Sequence, residues 1–262
     1  HVTSPQITKQ RKNEMTNKNT AKLMPLPIII PDIDELASVF EDNYQDGESP
    51  RFTEVHAPGA GGRQFIVSTV MGEIGFDAIE GVVLGWYSSR AYYDTPFDPS
   101  IEDAQPACFS DDGITGIGDN GTEGETHACK ECPLSVWGTA VNQKGENTRG
   151  QACGQYNKIL IAPSEGGFPM ILRLPPTGIS PFRIHRDKLT AMGLQLRNTV
   201  ISFRLIQFKG EMSARIIPIA IGLVPDAQRQ GIFDLHTALS KYLPAPIANP
   251  PALVLPKALR LP

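Results

Sequence analysis

The stretch IEGVVLGWYSSRAYY, residues 79–93, decides the fold. Val82, Val83, Leu84, Trp86, Tyr87, Tyr92 and Tyr93 pack strand-forming side chains into one segment too rich in aromatic and branched residues for a surface helix. Strand character resumes at Gln155–Ala162 and Met170–Leu174, joined by Ser164-Glu165-Gly166-Gly167, whose paired glycines suit a hairpin turn. A helix follows at Ile179–Met192, with Phe182, Leu189 and Met192 on one side and Gly193 as its stop. Leu196–Phe208 and Met212–Leu223, flanking Lys209-Gly210-Glu211, complete a β-β-β-α-β-β order. Five strands with a helix between the third and fourth predict a mainly β chain with an OB-fold-like five-stranded barrel, an architecture whose strand face and loops bind oligonucleotides or oligosaccharides. An antiparallel β-sandwich is the alternative.

Outward from residues 79–223, the chain is less regular. Residues 94–153 form a Gly- and Asp-rich insert in the first inter-strand loop. Residues 31–78 read as a short helix and loop packing on the barrel: Asp32 or Asp34 caps a helix in which Ile33, Leu36, Ala37 and Phe40 share one face, and Tyr44–Gly62 is a loop. Its run Pro58-Gly59-Ala60-Gly61-Gly62 lacks the following Gly-Lys-Ser/Thr of a phosphate loop. Residues 1–30 read as a flexible basic arm, and 224–262 as an extension whose prolines, from Pro244 onward, suit an extended segment able to dock a partner.

With 262 residues, 40% hydrophobic and 20% charged, and with 24 Gly and 23 Pro, the composition is globular and turn-rich, which excludes collagen, coiled coil and wholesale disorder. No apolar run is long enough to span a membrane, and His1–Ala21 is polar and basic without a signal-type apolar segment, so the expected location is cytoplasmic. Residues 1–125 carry 8 Lys and Arg against 21 Asp and Glu, whereas 126–262 carry 16 against 7. A basic half of this kind can offer a surface to a polyanion.

The cysteines carry the sharpest chemical signal. Cys108, Cys129, Cys132 and Cys153 all fall in the insert, with a C-x-x-C pair at the centre. Such a pair sets two thiolates on one turn, and two more cysteines complete a closed tetrahedral site for a structural zinc, which would serve as the core of a segment poor in apolar residues. Two disulfides are the alternative reading. His127 is a possible substitute ligand, and Trp137 is expected to cap the site or to stack a base. No H-x-E precedes the Cys129-Lys130-Glu131-Cys132 run, which argues against a zinc deaminase, and neither H-E-x-x-H nor G-x-S-x-G occurs.

Arg90-Ala91-Tyr92-Tyr93, Cys108-Phe109-Ser110-Asp111-Asp112-Gly113, Cys129-Lys130-Glu131-Cys132-Pro133 with Trp137-Gly138, Gly150-Gln151-Ala152-Cys153 and Leu174-Pro175-Pro176-Thr177 together resemble a family of phage- and plasmid-encoded single-stranded DNA-binding proteins. The resemblance covers roughly residues 79–223. It implies an OB-like fold with a cysteine-rich, zinc-type insertion and binding of unpaired DNA.

Residue parity points the same way. Alternation places Trp86, Ser88, Arg90 and Tyr92 on one face and Val83, Gly85, Tyr87 and Ala91 on the other. In later strands Tyr156, Lys158, Arg173, Ser202 and Arg204 share parity, opposite Ile159, Leu172, Leu174, Ile201, Phe203 and Leu205. Rings that stack bases and cations that meet phosphates are what a single strand requires, which makes Trp86, Arg90, Tyr92, Tyr156, Lys158, Arg173 and Arg204 the candidate nucleic-acid contacts. The expected function is non-enzymatic, sequence-tolerant binding of single-stranded DNA, with RNA as a possible ligand, in phage or plasmid replication or recombination. Replication proteins are candidate partners for the proline-rich tail, and oligomerisation is compatible with this reading. The alternatives are a zinc-stapled protein-interaction or virion-structural module and a metal-dependent nuclease using Asp111 and Asp112.

Overall fold

The computed structural model describes residues 23–45, 50–58, 62–95, 105–118, 125–142, 145–210 and 214–244. Most of the basic arm (1–22), the middle of the glycine run (59–61) and the tail beyond Pro244 lie outside the described residues. In chain order the elements are α1 (Ile33–Asn43), β1 (Glu54–His56), β2 (Phe65–Thr69), β3 (Gly72–Phe76), β4 (Ala78–Tyr92), β5 (Cys108–Ser110), β6 (Thr115–Gly118), β7 (Thr126–Ala128), β8 (Gly154–Pro163), β9 (Met170–Leu174), α2 (Pro176–Ala191), β10 (Thr199–Ile206), β11 (Arg215–Leu223) and α3 (Asp226–Ser240). Strand outweighs helix, and all the strands among the described residues belong to one mixed sheet.

β4 is the hub. Its middle and C-terminal part pairs antiparallel with β8, while its opposite edge is shared by β10 at the N-terminal end and β5 at the C-terminal end. The β-β-β-α-β-β order is present, with path β9-β8-β4-β10-β11. The expected five-stranded barrel is not. Closure would require β9 and β11 to pair, but β11 pairs only with β10, and the outer edge of β9 is taken by β1, running parallel to it. Among the described residues the sheet therefore stays open and continues through β1, which falls inside the loop expected at 44–62, to the β2–β3 hairpin.

Both faces of the sheet are covered, which explains the nearly uninterrupted apolar run at the start of β4. On one face α1 and α3 bury Leu36, Phe40, Ile232, Leu235 and Leu239 against Val82, Leu84, Leu160 and Val200. On the other, α2 buries Phe182 and Leu189 against Val83, Ile159, Ile161, Leu172 and Ile201. Gly81 allows β8 to approach closely, since a Cβ there would collide with the Ala162 carbonyl. Gly166, with φ of 88°, supplies the left-handed residue of the β8–β9 hairpin.

α1 begins as expected at Asp32, whose carboxylate accepts from the Asp34 and Glu35 amides. α2 starts a turn earlier than its apolar periodicity suggests, at Pro176, a residue suited to the first helical position. Met192, expected on the apolar side of α2, is exposed beyond the helix end. α3 replaces the first part of the expected proline-rich extension. Residues 24–29, counted with the basic arm, lie docked instead: Leu26 and Met24 exchange backbone hydrogen bonds with Leu223, and Gln228 bonds both backbone groups of Ile28.

Candidate nucleic-acid interface and cysteine cluster

The register of β4 locates the site. It shifts between Val83 and Gly85, so that Val83 opposes Ile161 and Trp86 opposes Ile159, on the same face. This bulge overturns the simple alternation that set Val83 and Trp86 on opposite faces. It also separates Trp86 from the cationic residues of β8 and β9, because Tyr87 is the residue opposite Lys158, and Lys158 in turn opposes Arg173. Trp86 lies on the α2 side, edge-on to Phe182 at 6.3 Å, with the Arg186 guanidinium 4.6 Å from its ring centroid.

The opposite face carries a cleft of about 1000 Å³ over the C-terminal half of β4. Four cationic side chains, Arg51, Lys158, Arg173 and Lys241, line it against two acidic ones, Glu54 and Asp111, while the Arg90 side chain, alternating with Ser89 and Ala91, lies on the opposite face of β4. Of the expected contacts, the Lys158 and Arg173 side chains line this cleft, and Tyr156 adjoins it, with the Arg173 guanidinium stacked 4.0 Å from its centroid. Arg204 does not join them. It sits at the far end of β10, where its Nε donates to the Ser202 hydroxyl and Nη2 lies 3.8 Å from Glu80. Tyr92, half-buried, opposes Cys108 on β5. Rings that parity did not single out supply exposed surface in the cleft, namely Tyr93 and Phe109, 37% and 40% exposed.

Lys158 is clamped at the cleft floor, its Nζ donating to Glu54 Oε1 at 2.8 Å and to Asp111 Oδ1 at 3.2 Å. Burial works against its charge, yet the Glu54 hydrogen bond and the surrounding negative charge hold its pKa above the ordinary lysine value. Beside it, burial pushes the Tyr87 hydroxyl up to about 12, with Lys158 opposing. Burial lowers His56, partly resisted by Glu54 and reinforced by Arg173 and Lys158. The floor of the cleft therefore holds a neutral phenol, a paired ammonium and a histidine biased to neutrality.

Asp111 and Asp112 diverge. Asp112 turns inward to accept from the Ile114 and Thr115 amides and the Ser110 hydroxyl, and these bonds outweigh slight burial to hold its pKa below the usual carboxylate value. Asp111 faces Lys158 instead, so the two carboxylates do not form a paired metal-binding site.

Among the described residues of the insert, the only buried apolar side chains are Cys108, Cys129, Cys132 and Cys153, all at most 7% exposed and none in a disulfide. Cys129 is tied to β6 through its amide and the Ile114 carbonyl, and the Cys153 amide donates to Leu134 beyond the Cys129–Cys132 turn. Burial raises the Cys153 thiol pKa, with Arg90 opposing and Cys132 and Cys129 adding to the rise. The Cys108 sulfur lies 3.6 Å from His127 Nε2. Among the described residues, no three His, Cys, Asp or Glu side chains converge as a ready-made ligand set. Trp137 is 76% exposed and does not cap the cysteines. No helix among the described residues is long and apolar enough to cross a membrane. No family model, curated protein or solved structure matches the chain.

Proposed function

We propose that this protein binds single-stranded DNA non-enzymatically and with little sequence preference, in the cleft over the C-terminal half of β4, in the service of phage or plasmid replication or recombination. The observation that carries the reading is one cleft in which Arg51, Arg173 and Lys241 surround the exposed rings of Tyr93 and Phe109. Exposed rings accept any base by stacking, and cations beside them neutralise the phosphates of the same strand. The path β9-β8-β4-β10-β11, with α2 between β9 and β10, fits an opened form of the OB order and agrees with the resemblance noted in the sequence.

In the same reading the four insert cysteines hold a structural zinc. Their burial without other buried apolar side chains among the described residues of the insert, and without disulfides, supports it: a small segment poor in buried hydrocarbon is stable when a metal supplies a core. With every ligand a thiolate, the ion has no open position for water, so its contribution is to shape β5–β7 beside the cleft.

The test is a titration of labelled oligo-dT, duplex DNA and oligo-U at several salt concentrations. Preferential, salt-weakened binding of single strands is expected, and a preference for duplex or an absence of salt dependence would overturn the proposal. A second reading, a zinc-stapled protein-interaction module, draws on Val136, Trp137 and Val141, all more than half exposed in the insert. Retention of a defined protein partner with no retention on oligo-dT would favour it.

A further inference from the structure

Arg90 was expected to meet a phosphate, but strand register gives it a different neighbourhood. On one side Arg90 opposes Ser110 and Tyr92 opposes Cys108; on the other, Arg90 opposes Gln155 and Ala91 opposes Gly154, the residue after Cys153. Directly opposed residues share a face and alternate residues return to it, so Cys108 and Cys153 lie on the face that carries the Arg90 side chain, one on each flank of β4. The guanidinium sits beside Cys153, and its Nη1 is buried with no hydrogen-bond partner among the described residues. A buried, permanently charged donor with nothing to receive it is costly. Around it the only buried apolar side chains among the described residues of the insert are four thiols.

We propose that Arg90 is the counter-charge of a tetrathiolate metal centre formed by Cys108, Cys129, Cys132 and Cys153, with its unpartnered Nη1 donating to a ligand sulfur. This rests on the zinc reading above. Four thiolates around a divalent ion leave a double negative charge, and a guanidinium fork next to it both neutralises part of that charge and fixes sulfur orientation. Arg90 is thereby a positioning residue for the metal, and the orphaned nitrogen gains its acceptor when the sulfurs are ionised. The register that sets Arg90 between Cys108 and Cys153 fixes the strands from which the fork reaches.

The experiment uses the full chain, purified under reducing conditions, and reads metal affinity. Zinc is titrated against a chromophoric chelator at fixed pH for wild type, Arg90→Met and Arg90→Lys, with cobalt(II) as an optical probe of thiolate ligation. Arg90→Met should lower zinc affinity by about 10–100-fold, the range for loss of an outer-shell partner, and Arg90→Lys should recover part of it through charge alone. Should Arg90→Met fail to fold, Arg90→Lys still decides: a reduced affinity with an intact sulfur-to-cobalt absorption supports the fork, and wild-type affinity overturns it. Wild-type affinity in a folded Arg90→Met also overturns the inference while leaving the zinc site standing. Absence of sulfur-to-cobalt absorption from the wild-type protein overturns the zinc reading itself.

Discussion

Asp111→Asn should tighten single-strand binding. The cleft holds four cationic side chains, yet Lys158 is spent on internal partners, Glu54 at 2.8 Å and Asp111 at 3.2 Å. Asp111 is the weaker holder, with a side chain 62% exposed against 28% for Glu54, so water screens its attraction and little stability depends on it. Replacing its charge leaves the Glu54 contact to keep Lys158 ordered while lowering the cost of turning the ammonium toward a phosphate. For single strands each added phosphate contact steepens the dependence of log K on log salt by about 0.7, which at roughly 0.15 M salt corresponds to about fourfold tighter binding. Fluorescence anisotropy of labelled oligo-dT between low and physiological salt reads both quantities at once. An unchanged slope together with unchanged or weaker affinity refutes the placement of the strand over Lys158.

The remaining expectations separate the cleft from the scaffold. Tyr93→Ala or Phe109→Ala should each cost about 1–3 kcal/mol of oligo-dT affinity if a base stacks there, with melting temperature nearly unchanged; Trp86→Ala should do the reverse, since that ring packs on Phe182 and under Arg186. Phe182→Ala should destabilise the fold by about 3–5 kcal/mol in urea titrations, because its side chain is 1% exposed at the centre of the α2 face. Burial lowers the pKa of His56, His185 and His236 below 6.5, so the unfolded chain takes up protons first as the solution is acidified. Stability from these rings is complete above pH 6.5 and lost as the pH falls below it; urea midpoints that stay flat from pH 7 to 5 would contradict this.

Much of the scaffold was legible because it follows local rules. The alternation in β8 and β9, the turn glycines between them and the apolar spacing of α2 each specify their element within a few residues. Closure was not legible: it depends on whether β9 pairs with β11 or with β1, and Glu54–His56 is too short to announce itself as a strand. The bulge at Val83–Gly85 escaped for a related reason, since parity counts residues and cannot register one extra. α3 was overlooked beside the prolines that follow it, although Ile232, Leu235 and Leu239 carry helical spacing and are buried. At the site, the cysteines were readable as the insert's core because their C-x-x-C spacing is a ligand pattern in a segment otherwise rich in Gly and Asp. Arg51, Tyr93, Phe109 and Lys241 were not, because they come from separate segments that only the completed fold brings to one cleft.

That dispersal has a thermodynamic consequence. The cleft walls come from β1 and the residues before it, the C-terminal half of β4, β5, the β8–β9 pair and the residues that follow α3, so no fragment shorter than nearly the whole described chain reproduces them. Occupancy is therefore coupled to global cooperativity. A ligand held there stabilises every one of these segments together, raising the unfolding midpoint in step with its concentration above the dissociation constant.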